Sequence, residues 1–299
     1  MADIDGKSLA RRMQDRLAQK IQSAVASGNR PPHLVAVLVG DDPASKTYVR
    51  NKMLACKRVG MSSQVLALPA DTSEEALLEQ IHTLNADASV DGFIVQLPLP
   101  AHIDSEKVLL HLAPEKDVDG FHPLNIGRMT LGLPSYIPAT PWGIIQMFLH
   151  YDIHPEGKRC VILGRSNIVG RPLSILLSQN ASYGNATVTL LHSRSRDIQR
   201  HCQEADILVA AIGKPHFVHA DMVKEGAVVI DVGINKVSAP QSPKGYRIVG
   251  DVDYESVKDK CAWITPVPGG VGPMTVTGLL YNTWKAYRRE VYRSAPVGV

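Results

Sequence analysis

The sequence predicts an α/β protein of two domains, each built on a mostly parallel sheet. Three observations lead there. Its 299 residues exceed the size at which one hydrophobic core usually suffices. In both halves, short apolar runs alternate with helix-period patterns, the order that a parallel sheet covered by helices produces. Near the middle this alternation stops in a long Gly/Pro-rich stretch, and then it restarts.

The elements follow in order. MADIDGKSLARRMQDRLAQKIQ runs into a charged amphipathic helix and lacks the apolar core of a secretory signal. Its two early aspartates argue against a mitochondrial leader, so the cytosol is expected. HLVAVLVG (33–40) reads as a short buried strand. The next helix has Asp42 at the N-cap, Pro43 at its first position and Gly60 at its C-terminal cap. SQVLALPA (63–70) is a strand, and Ser73 caps a helix whose first turn holds Glu74 and Glu75. VDGFIVQLPLP (90–100) is a strand ending in a proline-punctuated turn. APEKDVDGFHPLNIGRMTLGLPSYIPATP (113–141) reads as irregular, and it is too long to be a mere connection. WGIIQMFLHYD (142–152) is a helix leading into the second domain.

The second half repeats the alternation. RCVILG (159–164), ATVTLLHS (186–193), ADILVAAIG (205–213) and GAVVIDVGI (226–234) are strands, continuous enough to be buried on both faces. RPLSILLSQN is the helix after the first of them. TVTGLLYNTWKAYRREVY reads as an amphipathic tail helix that packs back on the first domain. The expected domains are residues 1–145, completed by the tail 276–299, and residues 146–275.

Composition narrows the function. With a net charge of only +3 and no basic block interleaved with aromatics, nucleic-acid binding is not suggested. No apolar run approaches the length of a membrane span. Cys56, Cys160, Cys202 and Cys261 lie far apart and read as reduced, mostly buried thiols. His150 with His154, and His216 with His219, lack a carboxylate at ligand spacing, so no metal is expected.

One helix carries an oddity. At about 100° per residue, Tyr48, Lys52, Ala55 and Val59 share a stripe, with Val49, Met53 and Cys56 beside it. Lys46, Arg50 and Lys57 lie roughly opposite, with Leu54. Lys52 therefore sits within or at the edge of the apolar face. On spacing alone, the simpler account is a lysine that lays its stem on the core and carries its ammonium to water. The other is an amine placed for chemistry.

A second signal is GRSNIVGRP, Gly164 to Pro172, lying between a strand and a helix. Glycines in such a turn let backbone N–H groups approach a pyrophosphate at the helix N-terminus. The Gly-x5-Gly spacing departs from the usual fingerprint, but the strand–turn–helix position points to a dinucleotide. At the end of the next strand, HSRS offers Ser193 and Arg194, with Arg196 beyond and Arg165 in the loop itself. No acid stands there to bind a ribose 2′-hydroxyl, and a hydroxyl with guanidinium groups suits a 2′-phosphate, so NADP is preferred over NAD. Asp231 reads as a structural hydrogen-bonding acid, with a cofactor role left open.

YVRNK (48–52), VQLPLP (95–100), PEKDVDGFHPLNIGR (114–128), GRSNIVG (164–170) and TPVPGGVGPMT (265–275) together resemble the bifunctional methylenetetrahydrofolate dehydrogenase/cyclohydrolase family over nearly the whole chain. No synthetase extension is seen, so the short bifunctional form is expected. The resemblance implies a folate-binding catalytic domain, a Rossmann-type NADP-binding domain, a cleft between them as active site, and a homodimer formed through the nucleotide domain. It implies that Lys52 is the catalytic lysine, Tyr48 its stacking tyrosine, Gln96 the lysine's partner and Asp119 the pterin-binding acid. Val95, Gln96 and Leu97, with Pro266, Val267, Pro268, Gly269 and Gly270, would line the folate site. Gly164, Arg165, Ser166, Ser193, Arg194 and Ile234 would contact NADP. Asp117 is left as a structural acid of its loop.

The implied chemistry suits these residue types. Hydride loss from the methylene bridge needs no proton transfer, so positioning is the main task. Hydrolysis of the methenyl product gains from a general base. A lysine serves only when it is neutral part of the time, which burial beside Tyr48 and a cationic substrate would favour. Two alternatives remain: a dehydrogenase without the hydrolytic step, and a catalytically silent nucleotide-binding regulator.

Overall fold

The computed structural model describes residues 2–242 and 245–292. In chain order its elements begin with β1 (Ala2–Asp3), α1 (Gly6–Ala26), β2 (His33–Val39), α2 (Pro43–Val59), β3 (Ser62–Leu68), α3 (Glu74–Ala86) and β4 (Gly92–Val95). Then come α4 (Ser105–Leu110), α5 (Pro123–Thr130), α6 (Ala139–His150), β5 (Arg159–Leu163), α7 (Gly170–Ser178), β6 (Thr187–Leu191) and α8 (Ile198–Gln203). The rest are β7 (Ile207–Ala210), β8 (Ala227–Asp231), β9 (Asn235–Ser238), β10 (Tyr246–Val249), α9 (Tyr254–Val257), β11 (Cys261–Ile264) and α10 (Val271–Tyr287). They form two compact units, residues 12–139 with 276–292, and residues 2–11 with 140–275.

The first unit is a parallel three-stranded sheet in the order β3-β2-β4. The period-2 alternation of β2 builds two cores. Leu34, Ala36 and Leu38 pack with Leu17 and Ile21 of α1, with Val49, Cys56 and Val59 of α2, and with Leu279 and Leu280 of α10. Val35, Val37 and Val39 face the other way, toward Leu77 and Ile81 of α3. Helix α2 has the expected ends: the Asp42 carboxylate accepts from the Ser45 N–H, and Gly60 closes the helix at φ 81°. Ser73 caps α3 by accepting from the Ala76 N–H.

The second unit is a parallel six-stranded sheet in the order β1-β11-β8-β7-β5-β6. After β5 the chain adds β6 on one side, then returns to add β7 on the other. The carboxyl end of β5 is thus a topological switch point, where open α/β sheets bind ligands. β9 and β10 form a separate antiparallel pair.

Several elements differ from expectation. β4 ends at Val95, because the proline-rich segment beyond Gln96 leaves the ladder. The stretch 113–141 contains α5, with Pro123 at its first position and the His122 ring accepting from the Leu124 N–H. α6 starts earlier than expected, at Ala139, and ends at His150. The tail helix starts at Val271, inside the predicted loop, and stops at Tyr287. Of the expected tail 276–299, residues 293–299 lie outside the described residues. β1, β9, β10 and β11 were not anticipated. The four cysteines are free and buried, and burial pushes each thiol up to about 12.

Candidate active and dinucleotide sites

Lys52 lies mid-way along α2, half-buried, and its Nζ donates to Gln96 Oε1 at 3.2 Å. Gln96 is placed by the register of β4. Phe93 and Val95 turn toward the α3 core and Ile94 toward the α2 core, so Gln96 falls on the α2 side. Its backbone N–H extends the ladder to the Val37 carbonyl, and its Nε2 donates to the Leu97 carbonyl at 2.7 Å. That second bond commits the amide nitrogen and leaves the oxygen for the lysine.

Two expectations need correcting here. Tyr48 is 42% exposed, so its ring does not close Lys52 off from water. The exposed side chain is accessible to a ligand. Val95 is buried among core residues, so only its backbone, with Gln96 and half-buried Leu97, is free to line a site.

Asp119 belongs to the same unit and feels the Lys52 charge. Burial raises its carboxyl above the ordinary value, and Lys52 pulls it partly back. Asp119 makes no side-chain hydrogen bond among the described residues. Asp117, two residues earlier, is fully buried and accepts from the Gly120 N–H, the His122 N–H and Asn125 Nδ2. Burial lifts Asp117 to about 6. One acid holds the loop, and the other has no hydrogen-bond donor among the described residues.

In the second unit, Gly164 follows β5 at φ 108°. A Cβ there would meet the Ala211 carbonyl oxygen at 2.1 Å, and one at Gly170 would meet the Gly164 carbonyl oxygen at 1.9 Å. Both glycines are thus required by backbone packed on backbone, which the sequence did not reveal. Ser166 Oγ accepts from the Val169 N–H, leaving its own proton free to donate outward. Arg165 is exposed at the same turn. At the end of β6, His192 Nδ1 accepts from the Arg194 N–H and Ser195 Oγ from the His192 N–H. This self-tied turn presents Ser193 and Arg194 to solvent. Ile234, beyond β8, is also exposed. The cradle fits a dinucleotide diphosphate: only hydrogen-bearing glycines permit its backbone course, and a hydroxyl and guanidinium groups face outward beside it.

Pro266–Gly270 also belong to this second unit, not to the unit of Lys52. The Gly270 N–H donates to the Pro266 carbonyl, and the Gly269 carbonyl accepts from the Lys7 N–H. A Cβ on Gly6 would meet the Gly270 oxygen at 1.9 Å, so this turn is closed against the start of α1.

Asp231, read as a structural hydrogen-bonding acid, takes the N–H groups of Gly233, Asp251 and Val252, and burial lifts it to about 6. Asp251 was missed. It takes the N–H groups of Ile212, Gly213 and Lys214. The only sequence signal for Asp251 was an acid near a strand end, which is too common to single it out.

A lysine–glutamine pair beside an unpartnered acid, and a glycine-bridged switch point in a parallel sheet, define a two-domain α/β enzyme of the dinucleotide-dependent kind. Residues 4–119 match the tetrahydrofolate dehydrogenase/cyclohydrolase catalytic domain, and residues 138–291 match the NAD(P)-binding domain of the same family. Among curated relatives, the bifunctional protein FolD of Phocaeicola vulgatus is 51% identical over 97% of this chain and 99% of its own. The crystal structure of the bifunctional FolD dehydrogenase/cyclohydrolase of Campylobacter jejuni superposes with a TM-score of 0.91 at 44% identity, covering 97% of this chain and 99% of that one. The Trypanosoma brucei dehydrogenase-cyclohydrolase, solved with NADP cofactor and inhibitor, gives 0.91 at 37% identity, covering 98% and 99%. The chain belongs to the bifunctional methylenetetrahydrofolate dehydrogenase/cyclohydrolase family.

Proposed function

We propose that this protein oxidises 5,10-methylenetetrahydrofolate to 5,10-methenyltetrahydrofolate with NADP and then hydrolyses the product to 10-formyltetrahydrofolate. The observation that supports it most is the Lys52–Gln96 hydrogen bond in the same unit as the unpartnered Asp119 carboxylate.

The geometry supports the following roles. Asp119 pairs with the donor edge of the pterin, whose ring nitrogen and amino group suit a carboxylate. Tyr48 stacks on the folate from its exposed position on α2. Leu97 and the Val95 backbone complete the folate wall of this unit. Gly164, Arg165, Ser166, Ser193, Arg194 and Ile234 hold NADP, which when bound accepts the hydride from the methylene bridge. For that step the chain supplies orientation alone, since no proton moves.

In the hydrolytic step water adds to the methenyl carbon and a C–N bond then opens. Lys52 takes the water proton, and Gln96 holds the amine by accepting its hydrogen bond. An amide does so without adding a charge, which an acid at that position would bring. The protein acts as a cytoplasmic homodimer in one-carbon metabolism, and no helix of the described residues is long and apolar enough to cross a membrane. The test is a spectrophotometric assay with methylenetetrahydrofolate and NADP or NAD in parallel, following methenyl formation and decay. NADP-dependent formation with decay faster than buffer is expected. Persistent methenyl would refute the hydrolytic half, and no turnover would refute both.

A further inference from the structure

We propose that Asp251 is a positioning residue for the dinucleotide, bracing the segments that follow β7 and β8 at the carboxyl end of the second sheet; this rests on the dinucleotide reading above. Asp251 is fully buried, at 0% exposure, in the turn after β10. It does not touch the cradle's outward groups. Its Oδ2 accepts from the Ile212 N–H at 2.7 Å and the Gly213 N–H at 3.0 Å, and its Oδ1 from the Lys214 N–H at 2.9 Å and Asn235 Nδ2 at 2.9 Å. Its four donors thus come from the loop after β7 and the start of β9.

Each of those segments abuts a part of the cradle. The segment after β7 begins at Ala211, whose carbonyl lies where a Gly164 Cβ would stand, so a shift at 212–214 is passed to the diphosphate turn. Asn235 follows Ile234 directly. Gly233, just before it, runs so close to Asp251 that a Cβ would meet the carboxylate at 2.4 Å. Asp251 is itself held from behind: its own N–H donates to Asp231 Oδ1, and Asp231's N–H donates to Thr265 Oγ1. The loop after β7 and the start of β9 are therefore tied to one buried carboxylate, whose residue is held in turn by Asp231 at the end of β8. A hydrocarbon side chain could fill the space, but only an acceptor with two oxygens can take four converging donors.

Asp251→Asn keeps the size and turns one oxygen into an NH2. Whichever way the amide turns, a donor then faces donors: Ile212 and Gly213 on one side, or Lys214 and Asn235 on the other. Asn235→Ala removes one tie and leaves the carboxylate satisfied by three backbone donors, so it folds even where the first variant does not. The full-length protein and both variants are assayed for NADP saturation of the dehydrogenase and, without dinucleotide, for hydrolysis of methenyltetrahydrofolate. The expected result is an NADP KM raised about ten-fold or more in Asp251→Asn and about three-fold in Asn235→Ala, with kcat changed less than about two-fold. Hydrolysis and folate KM stay at the starting value. Unchanged NADP KM in both variants with hydrolysis intact would overturn the bracing role. So would a parallel fall of both activities at unchanged NADP KM, which marks a merely structural acid. A starting protein that shows no NADP saturation overturns the dinucleotide reading, and this inference with it.

Discussion

Replacing Lys52 by Met separates the two proposed activities. Methionine keeps the unbranched stem along α2 and removes only the amine. Gln96 loses the donor on its Oε1, at 3.2 Å, but stays anchored through its 2.7 Å bond to the Leu97 carbonyl. Both side chains are half-buried, so water can replace the lost donor, and stability should change by less than about 1 kcal/mol. The hydrolytic step loses its base, a factor of about 10²–10⁴, or about 3–5 kcal/mol of barrier. Hydride transfer needs no proton acceptor and should fall far less. Burial raises the Asp119 carboxyl and Lys52 lowers it, so without the lysine charge Asp119 moves further up. Folate KM in the variant should therefore begin to rise at a higher pH, as pH falls, than in the starting protein. Both activities are read from one reaction, as NADPH appearance and methenyl decay. Equal loss of the two, with folate affinity intact, would refute the role assigned to Lys52. An unshifted folate KM profile would refute its coupling to Asp119.

Other outcomes follow from the same geometry. Gly164→Ala places a Cβ 2.1 Å from the Ala211 oxygen at a φ of 108°, so NADP affinity should drop at least about ten-fold while dinucleotide-independent hydrolysis persists, measurable by titration. Arg194→Ala should reduce the preference for NADP over NAD by about 10–100-fold in kcat/KM, the worth of one charge-assisted hydrogen bond. Tyr292→Phe leaves the buried Asn125 Oδ1 without the donor that the hydroxyl supplies at 2.7 Å, and should lower stability by about 1–3 kcal/mol in urea unfolding. Asp117 and Asp231 are lifted from 3.8 to about 6 by burial, so between those pH values the folded protein holds more protons than the unfolded chain. Their contribution makes stability fall as pH rises from about 4 to about 6 and level off above. Asp231→Asn should flatten that slope in urea midpoints taken across the range, even where it lowers every midpoint.

What could be read in the sequence were features whose cause is local. Asp42, Pro43 and Gly60 bound α2 because capping needs only neighbouring residues, and the six-residue spacing of Gly164 and Gly170 marked the strand-to-helix turn. The apolar runs that became β2, β5, β7 and β8 were visible because burial on both faces leaves little room for polar residues. Elements that depend on distant partners were not visible. β1 is two residues long and exists through pairing with β11, some 260 residues on. α5 hid among glycines and prolines because Pro123 at a first helical position looks the same in composition as a proline in a loop. The start of α10 was masked by the turn glycines directly before it.

The site residues divide along the same line, and the division explains why acids were harder to assign than the lysine. Lys52 stood out because a lysine near an apolar stripe breaks a local pattern. An aspartate in a Gly/Pro-rich loop breaks none. Asp117 and Asp119 lie in such a loop and Asp231 and Asp251 at strand ends, where acids are equally common, yet their partners set three apart. Asp117 takes donors from the loop and helix that follow it, and Asp231 and Asp251 take theirs from chain ends gathered by the sheet. Only Asp119 is left with a nearby charge and no hydrogen bond among the described residues. A half-buried carboxylate with no protein donor takes its hydrogen bonds from water or from a ligand. An acid's function is thus written in the donors that reach it, and those are fixed by topology. On that reasoning Asp119→Asn should cost folate affinity while leaving unfolding midpoints almost unmoved, and Asp117→Asn should do the reverse.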